Sequence, residues 1–166
     1  MIGPSQRSPI PASAMRQPIM WLATGFGAGL SPRAPGTVGS LVGVLFYLAM
    51  AGLPLPLYLS ALLALALVGV WVCERAGRAL GVTDHPGIVW DEIVGVLITM
   101  TATPVGWQGM ALGFVLFRLF DILKPWPVAS IDRKVPGGLG VMLDDVMAGL
   151  YALACLQILR HAFAIP

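Results

Sequence analysis

Charge is what this chain has least of: ten Lys or Arg and eight Asp or Glu stand among 166 residues, 11% in all. A typical soluble domain carries about 25%. With 57% hydrophobic residues and a mean hydropathy of +0.84, that scarcity excludes an ordinary soluble domain and points to a membrane-embedded one. Basic clusters are missing too. A net charge of +2 spread over scattered residues lacks the electrostatic footprint of nucleic-acid binding, so no nucleic-acid partner is expected. Cysteine is limited to Cys73 and Cys155, both in apolar runs, so neither a zinc site nor a structural disulfide is indicated. Neither cysteine opens a C-x5-R phosphatase loop, because Arg75, Arg78 and Arg160 fall at the wrong distances. The glycine-rich stretch Gly25–Ser40 contains no G-x-G-x-x-G and no G-x-x-x-x-G-K-[ST], which excludes a nucleotide loop.

What is abundant is uncharged apolar sequence. Between Arg33 and Glu74 lie 40 residues without a charge. A helix crossing roughly 30 Å of hydrocarbon takes about 20 residues, so this run divides at Gly52–Pro56 into spans expected over Val38–Gly52 and Leu57–Cys73. A second charge-free run, Ile93–Phe117, is interrupted by Thr101–Gly109. Its halves reach span length only by taking in charged flanks, as Ile88–Thr101 and Gln108–Leu123. A last helix is expected over Leu139–Ala162. The expected fold is all-α, a compact multi-pass membrane bundle of about five spans. Residues 1–18, with four prolines, read as a flexible polar tail, and 19–166 as a single domain. The apolar stretch after Arg16 is too short and glycine-broken for a cleaved signal peptide.

Orientation follows from Lys and Arg at the span ends. A cytoplasmic N-terminus places Arg7, Arg16, Arg33, Arg75, Arg78, Lys124, Arg133 and Lys134 on the inner side and Arg160 alone on the outer one. In that topology all eight acids lie at cytoplasmic helix ends or in cytoplasmic loops. Asp91 and Glu92 begin one helix, Asp121 ends the next, and Asp144 and Asp145 begin the last.

Acids at helix starts can simply complement the macrodipole, at under about 1 kcal/mol each. Adjacent pairs at the level of a membrane interface need more, because ionised groups there are expensive and usually functional. Arg118 and Lys124 offer two positive charges against five negative ones, and a bound divalent cation would supply the rest. Oxygen-only ligands suit a hard ion, Mg²⁺ before Ca²⁺ or Mn²⁺. Arg118, Asp121 and Lys124 recur at three-residue spacing along one helical stripe. Cations beside a metal cluster are what a phosphate needs, although Lys124, next to Trp126, also suits an interfacial anchor.

Asp132, Arg133 and Lys134 precede a glycine-rich helix entry and suit a solvated loop as well as a site. Asp84 and His85 sit in a loop, where a histidine is more often incidental than a ligand or proton donor. Thr37 and Ser40 stand where the first span is expected to begin, as N-caps would, beside free N–H groups that favour an anion. Arg33 and Thr37 are therefore candidate phosphate contacts. Gly39 and Gly43 form a G-x-x-x-G that can serve a homo-oligomer or packing within the bundle.

Four phrases, GLSPRAPGTVGS, DHPGIVWDEIVG, FRLFDILKPWP with DR shortly after, and GGLGVMLDDVMAG, together resemble the bacterial phosphatidylglycerophosphatase A family in order and spacing, from about Trp21 to Leu153. The resemblance implies an all-helical, Mg²⁺-dependent lipid phosphatase of the bacterial cytoplasmic membrane. Its phospholipid substrate, phosphatidylglycerophosphate, would lose the terminal phosphate to give phosphatidylglycerol. The family's motif positions fall on Asp84, His85, Asp91, Glu92, Arg118, Asp121, Lys124, Asp132, Arg133, Asp144 and Asp145. Metal ligands are then expected among Asp84, Asp91, Glu92, Asp121 and Asp145, and catalytic groups among Asp91, Glu92, Asp121, Asp144, Asp145 and His85. Arg118, Lys124, Arg133, Arg33 and Thr37 are expected on the phosphate. A membrane cation transporter could use the same carboxylates as an ion path, but it should spread polar groups across the bilayer midplane, whereas here they crowd one face.

Overall fold

A computed structural model describes residues 9–126 and 135–163. Among the described residues there are helices and no strands. The main elements are α1 (Pro18–Ala23), α2 (Pro35–Met50), α3 (Leu55–Leu80), α4 (Trp90–Thr99), α5 (Trp107–Leu123) and α6 (Gly137–Phe163). Short 3₁₀ turns at Ala14–Arg16 and Ala28–Leu30 flank α1. Proline opens α1 and α2, where its missing N–H would have been unpaired anyway. Gly81 ends α3 in the left-handed region, the usual glycine stop.

Each segment expected to span is helical, but the helices are unequal. The 26-residue α3 and the 27-residue α6 have the length and apolar character of membrane spans. The helix expected over Ile88–Thr101 shrinks to the ten residues of α4, nine of them buried. At 1.5 Å per residue it is about 15 Å long, half of a bilayer core. It is the centre of the molecule, packed against α2, α3, α5 and α6.

Glycines let the neighbours close on it. Gly39 and Gly43 of α2 lie against Val89, Ile93 and Val96, and a Cβ on Gly43 would sit 2.9 Å from Val96 Cβ. On the opposite side Gly149 of α6 meets the Gly95 carbonyl and Ile98. The G-x-x-x-G thus faces inward. Bulky side chains point the other way: Leu45 of α2 and Leu63 of α3 are 64% and 60% exposed, an apolar exterior of the kind that marks a buried interface or a lipid contact.

A helix that stops inside a bundle leaves carbonyls to satisfy. At the α4 C-terminus the Tyr58 hydroxyl donates to the Leu97 carbonyl at 2.6 Å and the Tyr47 hydroxyl to that of Thr103 at 2.6 Å. Gln157 Nε2 donates to Thr101 at 3.1 Å and Arg160 to Ala102 at 3.3 Å. Three helices therefore hold the far end of α4.

The near end is held by the glycine-rich stretch. The Val89 N–H donates to the Ala23 carbonyl at 2.8 Å, and Gly29 approaches the Gly87 carbonyl so closely that any side chain would collide with it. Residues 9–17 lie alongside: Ala14 is buried and Ile10 packs against the core.

Candidate active site

Three helices and one loop bring their acids to a single small cavity of about 110 Å³. The first turn of α4 supplies Asp91 and Glu92, the end of α5 supplies Asp121 and Lys124, α6 supplies Asp144 and Asp145, and the loop before α4 supplies Asp84. Carboxylate oxygens of Asp91, Glu92 and Asp145 lie within 4.8 Å of one another. Asp91, Asp144 and Asp145 are buried at 7%, 7% and 4% exposure. Ionised groups at that depth demand compensation.

Part of it is visible. The Lys124 ammonium pairs with Asp144 Oδ2. Arg118 reaches Asp121 Oδ2 at 2.5 Å and Glu92 Oε1 at 4.0 Å, tying α5 to α4. Arg118 is thus engaged by carboxylates and does not line the cavity, whereas Lys124 does. Compensation is incomplete: Asp91 Oδ1 and Glu92 Oε2 are buried without a hydrogen-bond partner.

Those orphaned oxygens are the test of whether a cation fits. Opposite ligand oxygens around a Mg²⁺ with bonds of about 2.1 Å are about 4.2 Å apart, so the spread of the three acids is of the right size. The donors are all hard oxygen, and the charge is what an ion would neutralise. The residues fit.

Other expected positions fall elsewhere. His85 is buried in the wall of a neighbouring, larger cavity, where its Nδ1 accepts the Gly87 N–H at 3.0 Å. Arg33 is exposed, and neither it nor Thr37 lines the acidic cavity. The expected N-caps are corrected: α2 starts at Pro35 with Ala34 as its cap residue, so Thr37 lies within the first turn and its N–H is bonded to the Ala34 carbonyl at 3.0 Å. Ser40 lies deeper still, and its hydroxyl donates to Gly36 O at 2.8 Å. The cause is Pro35, which is pre-set for the first helical position. Asp132 and Arg133 lie outside the described residues.

Two contributors escaped the sequence reading. Gly36 packs its bare Cα against Glu92 and Arg118; a Cβ there would collide with Glu92 Oε1 and lie 3.1 Å from Arg118 Nη1. The Pro-Gly pair opening an apolar run was the available signal. Glu74 of α3 accepts the Gly138 N–H at 2.7 Å, holding the N-terminal end of the helix that carries Asp144 and Asp145. Nothing in the spacing of Glu74 announces a partner 64 residues away.

An all-helical bundle with an apolar exterior and a buried carboxylate cluster is therefore the class of protein in hand. Residues 21–160 match the family described as PgpA: Phosphatidylglycerophosphatase A. The Escherichia coli protein named phosphatidylglycerophosphatase A is 45% identical over 148 residues, 89% of this chain and 86% of that one. The Haemophilus influenzae protein of the same name is 42% identical over 161 residues, 95% of this chain and 98% of its own. A third relative, from Bacteroides thetaiotaomicron, is 38% identical over 84% of this chain and 91% of its own, and is provisionally named a phosphatidylinositol-3-phosphatase. No solved structure matches. The chain belongs to the phosphatidylglycerophosphatase A family.

Proposed function

We propose that this chain is a lipid phosphatase that hydrolyses the terminal phosphomonoester of phosphatidylglycerophosphate, giving phosphatidylglycerol and inorganic phosphate, with Mg²⁺ held by the acidic cluster. Family membership supports the substrate. The single observation that carries the chemistry is the meeting of Asp91, Glu92 and Asp145 within 4.8 Å, with two carboxylate oxygens unpartnered.

Unaided, phosphate monoesters are among the slowest biological bonds to break. Enzymes break them mainly by positioning and by neutralising charge on the transferred group. A divalent ion, when bound in this cluster, would supply Lewis-acid stabilisation of phosphate oxygens and a more acidic water. Asp91, Glu92 and Asp145 would hold it, and Asp84 and Asp121 stand on the same cavity wall as further oxygen donors. Lys124 lines the same cavity and places its ammonium beside the phosphate. Arg118 fixes the Asp121 and Glu92 carboxylates and adds positive potential behind them. Arg33 and Thr37, at the entry to α2, and Arg133 are the outer phosphate contacts of this proposal, with Asp144, on the wall of the acidic cavity, as a proton carrier. The net reaction adds water across the P–O bond: phosphorus gains the oxygen nucleophile, and the departing glycerol oxygen takes the proton.

The same reading places α2, α3, α5 and α6 across the bacterial inner membrane, with α4 as the buried fifth segment and the acidic cavity facing the cytoplasm. The excess of Lys and Arg on that side supports it. A cation transporter with these acids is disfavoured by what lies beyond them, since Ile93, Val94, Val96 and Leu97, the side chains that follow along α4, are fully buried and apolar.

The experiment is phosphate release by the purified protein in detergent. Phosphatidylglycerophosphate with Mg²⁺ should be turned over, EDTA should stop the reaction, and Asp91→Asn, Asp121→Asn and Asp145→Asn should each lose at least 100-fold. Phosphatidylinositol 3-phosphate serves as the competing substrate. Full turnover in EDTA, or in all three variants, overturns the metal reading; a preference for the inositol lipid overturns the substrate.

A further inference from the structure

A larger cavity neighbours the acidic one. A space of about 750 Å³ lies on the other side of the loop that carries Asp84. Ile10 and Met15 of the N-terminal segment, Leu30 and Pro35 ahead of α2, and Pro86 and Gly87 before α4 form its walls. Its size and largely apolar wall with a few polar groups are those of a ligand site. Pro86 is common to both cavities, and Asp84, two residues earlier, faces the acids while His85 and Gly87 face the larger space.

We propose that this cavity seats the glycerol backbone and the first acyl carbons of the lipid substrate, with the head glycerol and bridging phosphodiester passing over Pro86, while its terminal phosphate occupies the acidic cavity. The inference rests on the phosphatase reading and adds to it the part of the chain that recognises a lipid rather than a soluble phosphate. Three observations support it. The acidic cavity, at about 110 Å³, has room for the terminal phosphate but not for the head glycerol, the bridging phosphodiester and the diacylglycerol beyond it, so these lie outside it. The neighbouring space shares a wall with it and is apolar where the acyl carbons would run. Ser31 and His85, the polar side chains in that wall, offer hydrogen-bonding groups suited to glycerol and ester oxygens. Residues 9–15 then form one side of the substrate site.

Two measurements test this. Ala12→Trp and Met15→Trp fill the cavity without touching the acids. Each should raise KM for phosphatidylglycerophosphate in mixed micelles at least tenfold, with kcat held within twofold, while Leu63→Trp on the exposed face of α3 changes neither. Independently, a diacyl phosphatidylglycerol carrying a photoreactive diazirine near its ester carbonyl should label residues 9–15 and 29–32 of the wild-type protein in nanodiscs. Unchanged KM in both folded cavity-filling variants, or labelling confined to the outer faces of the helices, overturns the proposal. Labelling at residues 9–15 with no phosphate release by wild type would leave the lipid seat standing and overturn the phosphatase reading instead.

Discussion

Gly36→Ala adds one methyl group and should cost the enzyme most of its activity. Built on the present backbone, the new Cβ collides with Glu92 Oε1 and lies 3.1 Å and 3.3 Å from the two terminal nitrogens of Arg118. Carbon and oxygen prefer roughly 3.5 Å or more, so the Glu92 carboxylate must move by about 1 Å or α2 must back away. Either shift moves a member of the proposed metal site relative to Asp91 and Asp145. A misplacement of about 1 Å near a reacting centre can cost about 100-fold, or about 2.7 kcal/mol of transition-state stabilisation at 1.36 kcal/mol per tenfold. Fold stability should suffer less, because the collision involves a movable carboxylate. The control is Gly52→Ala, where the added methyl meets nothing within 4 Å. The assay is kcat/KM for phosphate release alongside the thermal midpoint in detergent. If Gly36→Ala kept activity within twofold of Gly52→Ala, the close approach of α2 to Glu92 would have no bearing on catalysis.

Asp91→Asn should remove activity yet raise the thermal midpoint measured in EDTA, because it relieves repulsion in a buried cluster; a lower midpoint would mean that the carboxylate stabilises the metal-free fold. Added Mg²⁺ should raise the midpoint of the wild type and not of that variant, read by differential scanning fluorimetry. Tyr58→Phe leaves the Leu97 carbonyl without its 2.6 Å donor and should cost about 1–3 kcal/mol, seen as a fall of several degrees. A cysteine at position 132 should resist membrane-impermeant thiol reagents in intact cells and react after permeabilisation; labelling from outside would reverse the proposed orientation.

The acids and the helices that carry them could be read from the sequence because charge is rare in it: Asp91, Glu92, Asp121, Asp144 and Asp145 each stand at the edge of an apolar run. The burial of α4 could not. Hydropathy is the same whether Ile93–Ile98 faces lipid or protein, and only the glycines of α2 and α6 that close on this helix tell the two apart. Thr37 and Ser40 are good cap residues and so draw the expected start of α2 too far along the chain, whereas Pro35 sets the helical backbone ahead of them. Spacing along α5 groups Arg118 with Asp121 and Lys124, but spacing along one helix cannot show that Glu92, from another, lies 4.0 Å from Arg118. The larger cavity is assembled from three separated segments, so no local pattern announced it.

The shortness of α4 carries a consequence for how the protein tolerates change. A full-length span can slide or tilt with the bilayer around it, and groups at its ends move with it. This helix of about 15 Å works instead as a strut, bonded near its far end to Tyr58 and, through the turn that follows it, to Tyr47, Gln157 and Arg160, and carrying Asp91 and Glu92 at the other. In the proposed membrane setting, the height of the acidic turn would therefore be set within the protein rather than by membrane thickness. Leucines such as Leu45 and Leu63, on the outer faces, are free to vary as lipids vary, while four polar side chains on the face opposite the site are bound to its geometry.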